Sequence, residues 1–279
     1  MSGTSGIDGS KAPPVEKLAL IGGGKMGQAL LKGLISAGLV SESEVHVVEP
    51  HAATVAWWRE HHADCRIDTD LPAALERSET VILAVKPDLV SPVAAQGAGR
   101  WGGKLIISVA AGVQLAKLTD WLGTDRVIRT MPNTPCLVGR GATAFACGSG
   151  TTDDDQRRAL AMLSATGLAI EVSEKQLDAV TGLSGSGPAY VCVMIEALAD
   201  GGVLAGLPRE IAMRLATQTV LGTAEMVSQT GQHPAVLKDA VASPGGTTIA
   251  GLRALEQNGF RSSLIEAVAA AAARARELG

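Results

Sequence analysis

Between Leu18 and Met131, short apolar, β-branched runs alternate with stretches whose apolar residues recur at helical spacing. The runs are Leu18–Ile21, Val45–Glu49, Thr80–Val85, Leu105–Val109 and Val127–Met131. Near-continuous apolar runs of this length predict strands buried on both faces. Met26, Leu30, Leu34 and Ile35 make one helical face, closed by Gly38 as the expected C′ residue. Leu115, Leu118 and Leu122 make another, closed by Gly123. Strand–helix alternation predicts a parallel sheet with helices on both sides, and the right-handed crossover rule narrows it to a doubly wound α/β sheet.

After Cys147 the pattern changes. Thr152 followed by Asp153–Asp155 predicts an N-cap with acids in the first turn. A short strand is expected at Ala169–Val172, and beyond about residue 174 only helical spacing remains. Val191, Met194, Ile195 and Leu198 fall at i, i+3, i+4 and i+7. Pro208 stands where a helix starts, with Ile211, Leu215 and Val220 on its apolar face. Ile265, Val268, Ala272 and Ala275 mark a last, Ala-rich helix. Helices apolar on more than one face must be buried against something. So short a helical half cannot bury all of them itself, which predicts a homodimer interface. The expected organisation is a polar Gly/Ser/Pro tail over 1–15, a dinucleotide-binding Rossmann-like domain over 16–175 and an all-α dimerisation and substrate domain over 176–279.

Composition trims the alternatives. Of 279 residues 46% are hydrophobic and 19% charged, which excludes wholesale disorder. A net charge of −4, with only four Trp, one Tyr and two Phe, argues against nucleic acid as a partner. No apolar run reaches the ~18 residues of a bilayer span, so no membrane segment is expected. Cys65, Cys136, Cys147 and Cys192 form no Cys-x-x-Cys pair, so neither zinc nor a disulfide framework is expected, and a cytoplasmic location fits.

The candidate chemistry sits at strand ends. Gly22, Gly24 and Gly27 satisfy G-x-G-x-x-G between an apolar strand and a helix, the context that makes this pattern a dinucleotide signal. Gly22 permits the turn, Gly24 admits the pyrophosphate and Gly27 lets the helix approach the strand. Lys25 and Met26 lie within the loop. Glu49 closes the second strand, where an acid reads ribose hydroxyls and repels a 2′-phosphate, favouring NADH; the adjacent His51 and Lys25 pull toward NADPH. Ala84, Val85, Lys86 and Pro87 end another strand on the same edge, Ala110 lies in a small-residue turn, and Asn133 is stiffened between two prolines. No His, Tyr–Lys couple or Ser–His–Asp set stands where a hydride-transfer enzyme for alcohols keeps its proton shuttle. Near the C-terminus, Ser243-Pro244-Gly245-Gly246-Thr247-Thr248 is a Gly turn feeding a helix, suited to a carboxylate.

Seven segments together resemble the pyrroline-5-carboxylate reductase family: IGGGKMG (21–27), LAVKP (83–87), SVAAGV (108–113), RTMPNTP (129–135), GLSGSGPAYV (182–191), ALADGGVLAGLPR (197–209) and the run from Pro234 to Glu256. The resemblance implies a Rossmann domain, a helical dimerisation domain, and hydride transfer from NAD(P)H to the C=N carbon of 1-pyrroline-5-carboxylate, giving proline. A cyclic imine can arrive already protonated, which agrees with the missing shuttle. It implies that backbone N–H groups around Ser243, Gly245, Gly246 and Thr247 hold the substrate carboxylate. The Thr248 hydroxyl then bonds the ring nitrogen, and dimers can assemble further. Lys25 and Glu49 depart from the family's usual Asn and small or basic residues. Two other readings are a β-hydroxyacid dehydrogenase-like reductase and a non-catalytic dinucleotide-sensing module. The first needs a catalytic Lys after Ser184–Gly187, where this chain has none; the intact Thr247-Thr248 turn argues against the second.

Overall fold

The computed structural model describes residues 15–278. Of the tail expected over 1–15, residues 1–14 lie outside that range. Val15 belongs to the core instead: it is 2% exposed, and its N–H bonds Leu39 O.

The described residues form one eight-stranded sheet: β1 (Leu18–Ile21), β2 (Val45–Val48), β3 (Arg66–Asp68), β4 (Thr80–Leu83), β5 (Leu105–Ser108), β6 (Val127–Met131), β7 (Gly141–Cys147) and β8 (Gly167–Glu171). Its order is β3-β2-β1-β4-β5-β6-β7-β8. The order reverses between β1 and β4, and ligands of such sheets bind beyond the C-terminal strand ends at that point. The covering helices are α1 (Lys25–Ser36), α2 (Ala52–His61), α3 (Leu71–Arg77), α4 (Pro87–Gln96), α5 (Leu115–Leu122) and α6 (Asp153–Ser164). Strand alternation sorts the core into two layers. Leu18, Leu20, Val47, Ile82, Ile107 and Ile128 pack with Leu30, Leu34, Trp58 and Met162. Ala19, Ile21, Val81, Leu83 and Ile106 pack with Leu75, Val90, Trp101 and Leu118 on the other face.

Two strands were not expected, and one of them pairs antiparallel in an otherwise parallel sheet. β3 has a single apolar residue, Ile67, because it is a short edge strand. β7 is built mostly of Gly, Ala and Thr, too small-sided to read as a buried strand, and it runs antiparallel to β6. β8 begins at Gly167, two residues before the expected start. The expected stops hold: Gly38 and Gly123 are left-handed (φ +67° and +66°). Thr152 caps α6 with a reciprocal capping box to Asp155.

Asp155 is 1% exposed and accepts a two-pronged contact from Arg126 Nε (2.8 Å) and Nη2 (2.7 Å). Burial alone would raise its pKa, but the Arg126 guanidinium and the Thr152 N–H hold it below the ordinary carboxylate value. Its stabilisation is therefore complete above the unfolded value of about 3.9 and is lost as pH falls through the lowered one. Asp155→Ala is expected to cost about 2–3 kcal/mol near pH 7, below the full ~3–5 for a buried pair because Arg126 regains water. Thermal melts from pH 3 to 7 check this: the difference between wild type and variant should shrink toward the acid end.

Beyond α6 come α7 (Leu177–Val180), α8 (Gly187–Leu204), α9 (Arg209–Thr230), α10 (Pro234–Ala240), α11 (Thr247–Gln257) and α12 (Phe260–Leu278). The chain divides into two compact units, one running to Gly185 and taking in the last turns from Ala272, the other Ser186–Ala271. The first unit extends to Gly185: Leu177 packs on Ala144 and Ala146, and Asn133 Nδ2 donates to Ser184 O at 3.0 Å. In the second unit α8 and α9 meet through Ala199, Ala212 and Ala216, small residues that bring the helices close. Their large apolar side chains stay exposed: Val193 65%, Leu204 91%, Leu215 54%.

No continuous apolar run of bilayer length occurs among the described residues, but one helical stretch is apolar on average. The helical stretch Glu174–Leu204 passes by length and composition, with mean hydropathy 1.3 and 6% of its window buried. Alanine, glycine and valine with few charges produce that value, the composition equally demanded of a helix that packs on another subunit.

Candidate functional site

At the C-terminal edge of β1 the chain turns through Gly22–Gly24 into α1. Gly22 has φ +95°, and a Cβ there would lie 2.6 Å from Ala84 O. A Cβ on Gly27 would lie 2.5 Å from Gly22 O, so the start of α1 rests directly on the turn. Gly24 is the N-cap, with φ −67° and open space where its Cβ would stand. No side chain caps α1, and Gln28 N–H makes the first helical bond, to Gly24 O. The N–H groups at Lys25, Met26 and Gly27 thus form a positive end suited to phosphate. Lys25 is exposed and Met26 half-buried.

The neighbouring strand ends complete the edge. Ala84 N–H bonds Ile21 O (2.7 Å) and Val109 N–H bonds Leu83 O (3.1 Å). Val85 Cγ1 lies 3.0 Å from where a Gly22 Cβ would stand. Lys86 is extended (φ −62°, ψ 151°), as a residue before proline must be, and is exposed beside Pro87, the first residue of α4. Ala110 is 2% exposed, its methyl packed among core residues of the α3–α5 face.

Glu49 and Asn133 differ from simple ligand-facing groups. Glu49 is 4% exposed, and its Oε2 accepts from Gly23 N–H while Oε1 accepts from His51 N–H, both at 2.8 Å. The acid thus sits at the side of the glycine loop and orders it. Exposed His51 is the N-cap of α2. Asn133 Oδ1 accepts from Ala142 N–H (2.9 Å) while its Nδ2 holds Ser184 O, so its amide joins β6, β7 and the turn before α8. Sequence reasoning missed Gly23, Gln28 and Trp58. The Trp58 indole N–H (2.8 Å) and Gln28 Nε2 (3.2 Å) both donate to Gly23 O. A Cβ on Gly23 would lie 2.4 Å from Trp58 Nε1. In the motif Gly23 is a free position, and no local pattern marks a Trp thirty-five residues away as its partner.

The second unit carries the other candidate element. Gly246 N–H bonds Ser243 O (3.1 Å), closing a turn over Pro244 and Gly245. Gly245 has φ +65°; Pro then Gly at these positions is what a type II turn demands. A Cβ on Gly246 would lie 2.3 Å from Ser243 Oγ, so a side chain there would force the serine hydroxyl to turn away. Gly246 is the N-cap of α11 with no side-chain cap, leaving the first-turn N–H groups at Thr247 and Thr248 for an anion. Thr247 is exposed and Thr248 half-buried. A cavity of about 480 Å³ adjoins the turn, lined by Lys238, Gly245, Gly246, Arg253 and Arg261 among others. Among the described residues no cluster of three metal-ligating side chains occurs.

Comparisons with known proteins match both halves. A family profile described as "Pyrroline-5-carboxylate reductase dimerisation" matches residues 174–278, and one described as "NADP oxidoreductase coenzyme F420-dependent" matches 17–112. A pyrroline-5-carboxylate reductase of Synechocystis is 50% identical over 263 residues, 94% of this chain and 98% of the relative. This chain belongs to the pyrroline-5-carboxylate reductase family. The Arabidopsis thaliana member is 45% identical over 94% of this chain and 95% of its own. Among solved structures the family member from Coxiella burnetii superposes with TM-score 0.89 at 34% identity, covering 95% of this chain and 99% of that one. The Plasmodium falciparum member, determined with NADP bound, gives 0.84 at 32%, covering 95% and 98%.

Proposed function

We propose that this chain reduces 1-pyrroline-5-carboxylate to proline with NAD(P)H, the last step of proline biosynthesis. The observation that carries the reading is the presence, on a chain of this family, of two uncapped helix N-termini at Gly-built turns. One is the Gly22–Gly27 cradle and the other the Ser243–Thr248 turn. Open space at Gly24 fits a pyrophosphate, and a bound nicotinamide would supply the hydride. The N–H groups at the start of α11 hold the substrate carboxylate, and the Thr248 hydroxyl bonds the ring nitrogen. Ala84, Val85, Lys86, Pro87 and Ala110 are proposed as the cofactor's further surroundings, with Asn133 bracing that edge. Purified protein should oxidise NAD(P)H with the cyclic imine and not with pyruvate or oxaloacetate; the reverse pattern would overturn the reading.

The basic unit is proposed to be a cytoplasmic homodimer through the apolar faces of α8, α9 and α12. Sedimentation at submicromolar concentration is expected to show a dimer or a multiple of it. An active monomer would refute this.

The NADH preference is also proposed, on Glu49. Its carboxylate is held beside the loop by two backbone N–H groups. At ~4 Å and an effective dielectric of ~20, a like charge on a 2′-phosphate costs about 4 kcal/mol before screening. The expected kcat/KM for NADH is at least that for NADPH, and Glu49→Ser should shift the ratio toward NADPH. A wild-type preference for NADPH above about tenfold would contradict it.

A further inference from the structure

We propose that Trp58 and Gln28 are positioning residues for the cofactor pyrophosphate, acting through the Gly23–Gly24 peptide; the inference rests on the dinucleotide reading above. Gly23 is gripped on both sides. Its N–H donates to buried Glu49, and its carbonyl accepts from the Trp58 indole at 2.8 Å and the Gln28 amide at 3.2 Å. Both donors are buried, Trp58 completely and Gln28 to 9% exposure. The structure contains no cis peptide among its described residues. In a trans peptide the carbonyl and the following N–H point in opposite directions. Drawing the Gly23 carbonyl inward therefore aims the Gly24 N–H outward, at the residue whose flank is open.

Without that grip, a loop of three consecutive glycines would sample many peptide orientations. The binding of an anion would then carry the cost of ordering it. Trp58 sits on α2, and its ring meets Trp57 edge-on at 5.3 Å between centroids, so the donor is itself held rigidly. Gln28 approaches from α1. The two donors come from separate helices and share one acceptor, whose two lone pairs accommodate both. The pyrophosphate is common to NADH and NADPH, so this device sets affinity for both and selects between neither.

The test uses the full-length assembly. Trp58→Phe removes the indole donor and keeps an aromatic ring; Gln28→Met removes the amide at similar volume. Trp101→Phe is the control, since it removes an equally buried indole donor, bonded to Ala94 O at 3.0 Å, that does not touch the glycine loop. Dissociation constants for NADH and NADPH are read by fluorescence titration, with kcat at saturating cofactor and melting temperature beside them. Each single variant is expected to weaken both cofactors by a similar factor, about three- to tenfold, the worth of one hydrogen bond. Turnover at saturating cofactor and KM for the imine should stay within about twofold. The double variant leaves the carbonyl without either donor and should exceed the product of the two single effects. Variants that melt lower yet bind both cofactors like wild type would reduce the pair to packing and overturn the inference. An equal loss in Trp101→Phe would do the same. A wild type that binds neither cofactor would instead sink the dinucleotide reading, and this inference with it.

Discussion

Alanine at Gly22 and alanine at Gly24 should fail in opposite ways. At Gly22 the backbone is at φ +95° and the new methyl would stand 2.6 Å from Ala84 O. A non-glycine residue in such a region costs on the order of 1–3 kcal/mol before any clash. Here the clash is with backbone, which cannot swing aside, so β1 and β4 must part at their C-terminal ends. Gly22→Ala is therefore expected to lower the melting temperature and to weaken NAD(P)H by about two orders of magnitude or more, since the whole cradle moves. Gly24 has φ −67° and no atom within 4 Å of its missing Cβ. Alanine fits that backbone, and removing glycine's freedom from the unfolded chain stabilises by roughly 0.4–1 kcal/mol. Yet the methyl occupies the approach a pyrophosphate needs. Gly24→Ala should melt at or above wild type while binding NAD(P)H at least about tenfold more weakly. Paired melts and cofactor titrations check both. Unchanged cofactor affinity in a stable Gly24→Ala protein would mean that no phosphate comes near this glycine.

The contrast shows which parts of the site were legible in the sequence. Gly22, Gly24 and Gly27 announce themselves because each answers a local geometric demand: a left-handed turn, an open flank, a close helix. The strands β1, β4 and β5 were legible because burial on both faces leaves little but Val, Ile and Leu. β7 was not, since Ala144 and Ala146 are small enough to pack beneath α7 without a β-branched signature, and its antiparallel direction is set by tertiary pairing with β6. Glu49 was legible as an acid at a strand end. Its grip on Gly23 N–H was not, because that depends on where the loop's peptide points. Trp58 carries no local signal; its indole N–H acquires a role through a contact thirty-five residues distant in sequence. Asn133 was legible as stiffened between two prolines; that its amide would bond Ala142 N–H and Ser184 O was not. Local chemistry is written locally, whereas second partners of buried polar groups are settled by the fold.

Thr248→Val is expected to lower turnover with little change in stability. The side chain is half-buried at the second position of α11, and valine matches it in volume and branching. What disappears is the hydroxyl. Its proposed partner is the ring nitrogen, which changes from imine to amine as the hydride arrives, so the bond acts while the charge on nitrogen is changing. A hydrogen bond of this kind is worth on the order of 0.5–3 kcal/mol, more when the nitrogen is cationic, hence about 2- to 100-fold in kcat. Alanine should match valine, and Thr248→Ser should retain most activity because the donor and acceptor survive. Thr247 supplies the control within the same turn. It is exposed, and its proposed contribution is its backbone N–H to the carboxylate, which Thr247→Val preserves. That variant should stay within about threefold of wild type, since an exposed side-chain change rarely exceeds ~0.5 kcal/mol. Steady-state rates with saturating NAD(P)H and varied imine separate the cases: loss at 248 in kcat, near-silence at 247. Wild-type turnover in Thr248→Val would show that the hydroxyl is idle and that the imine nitrogen is managed without it.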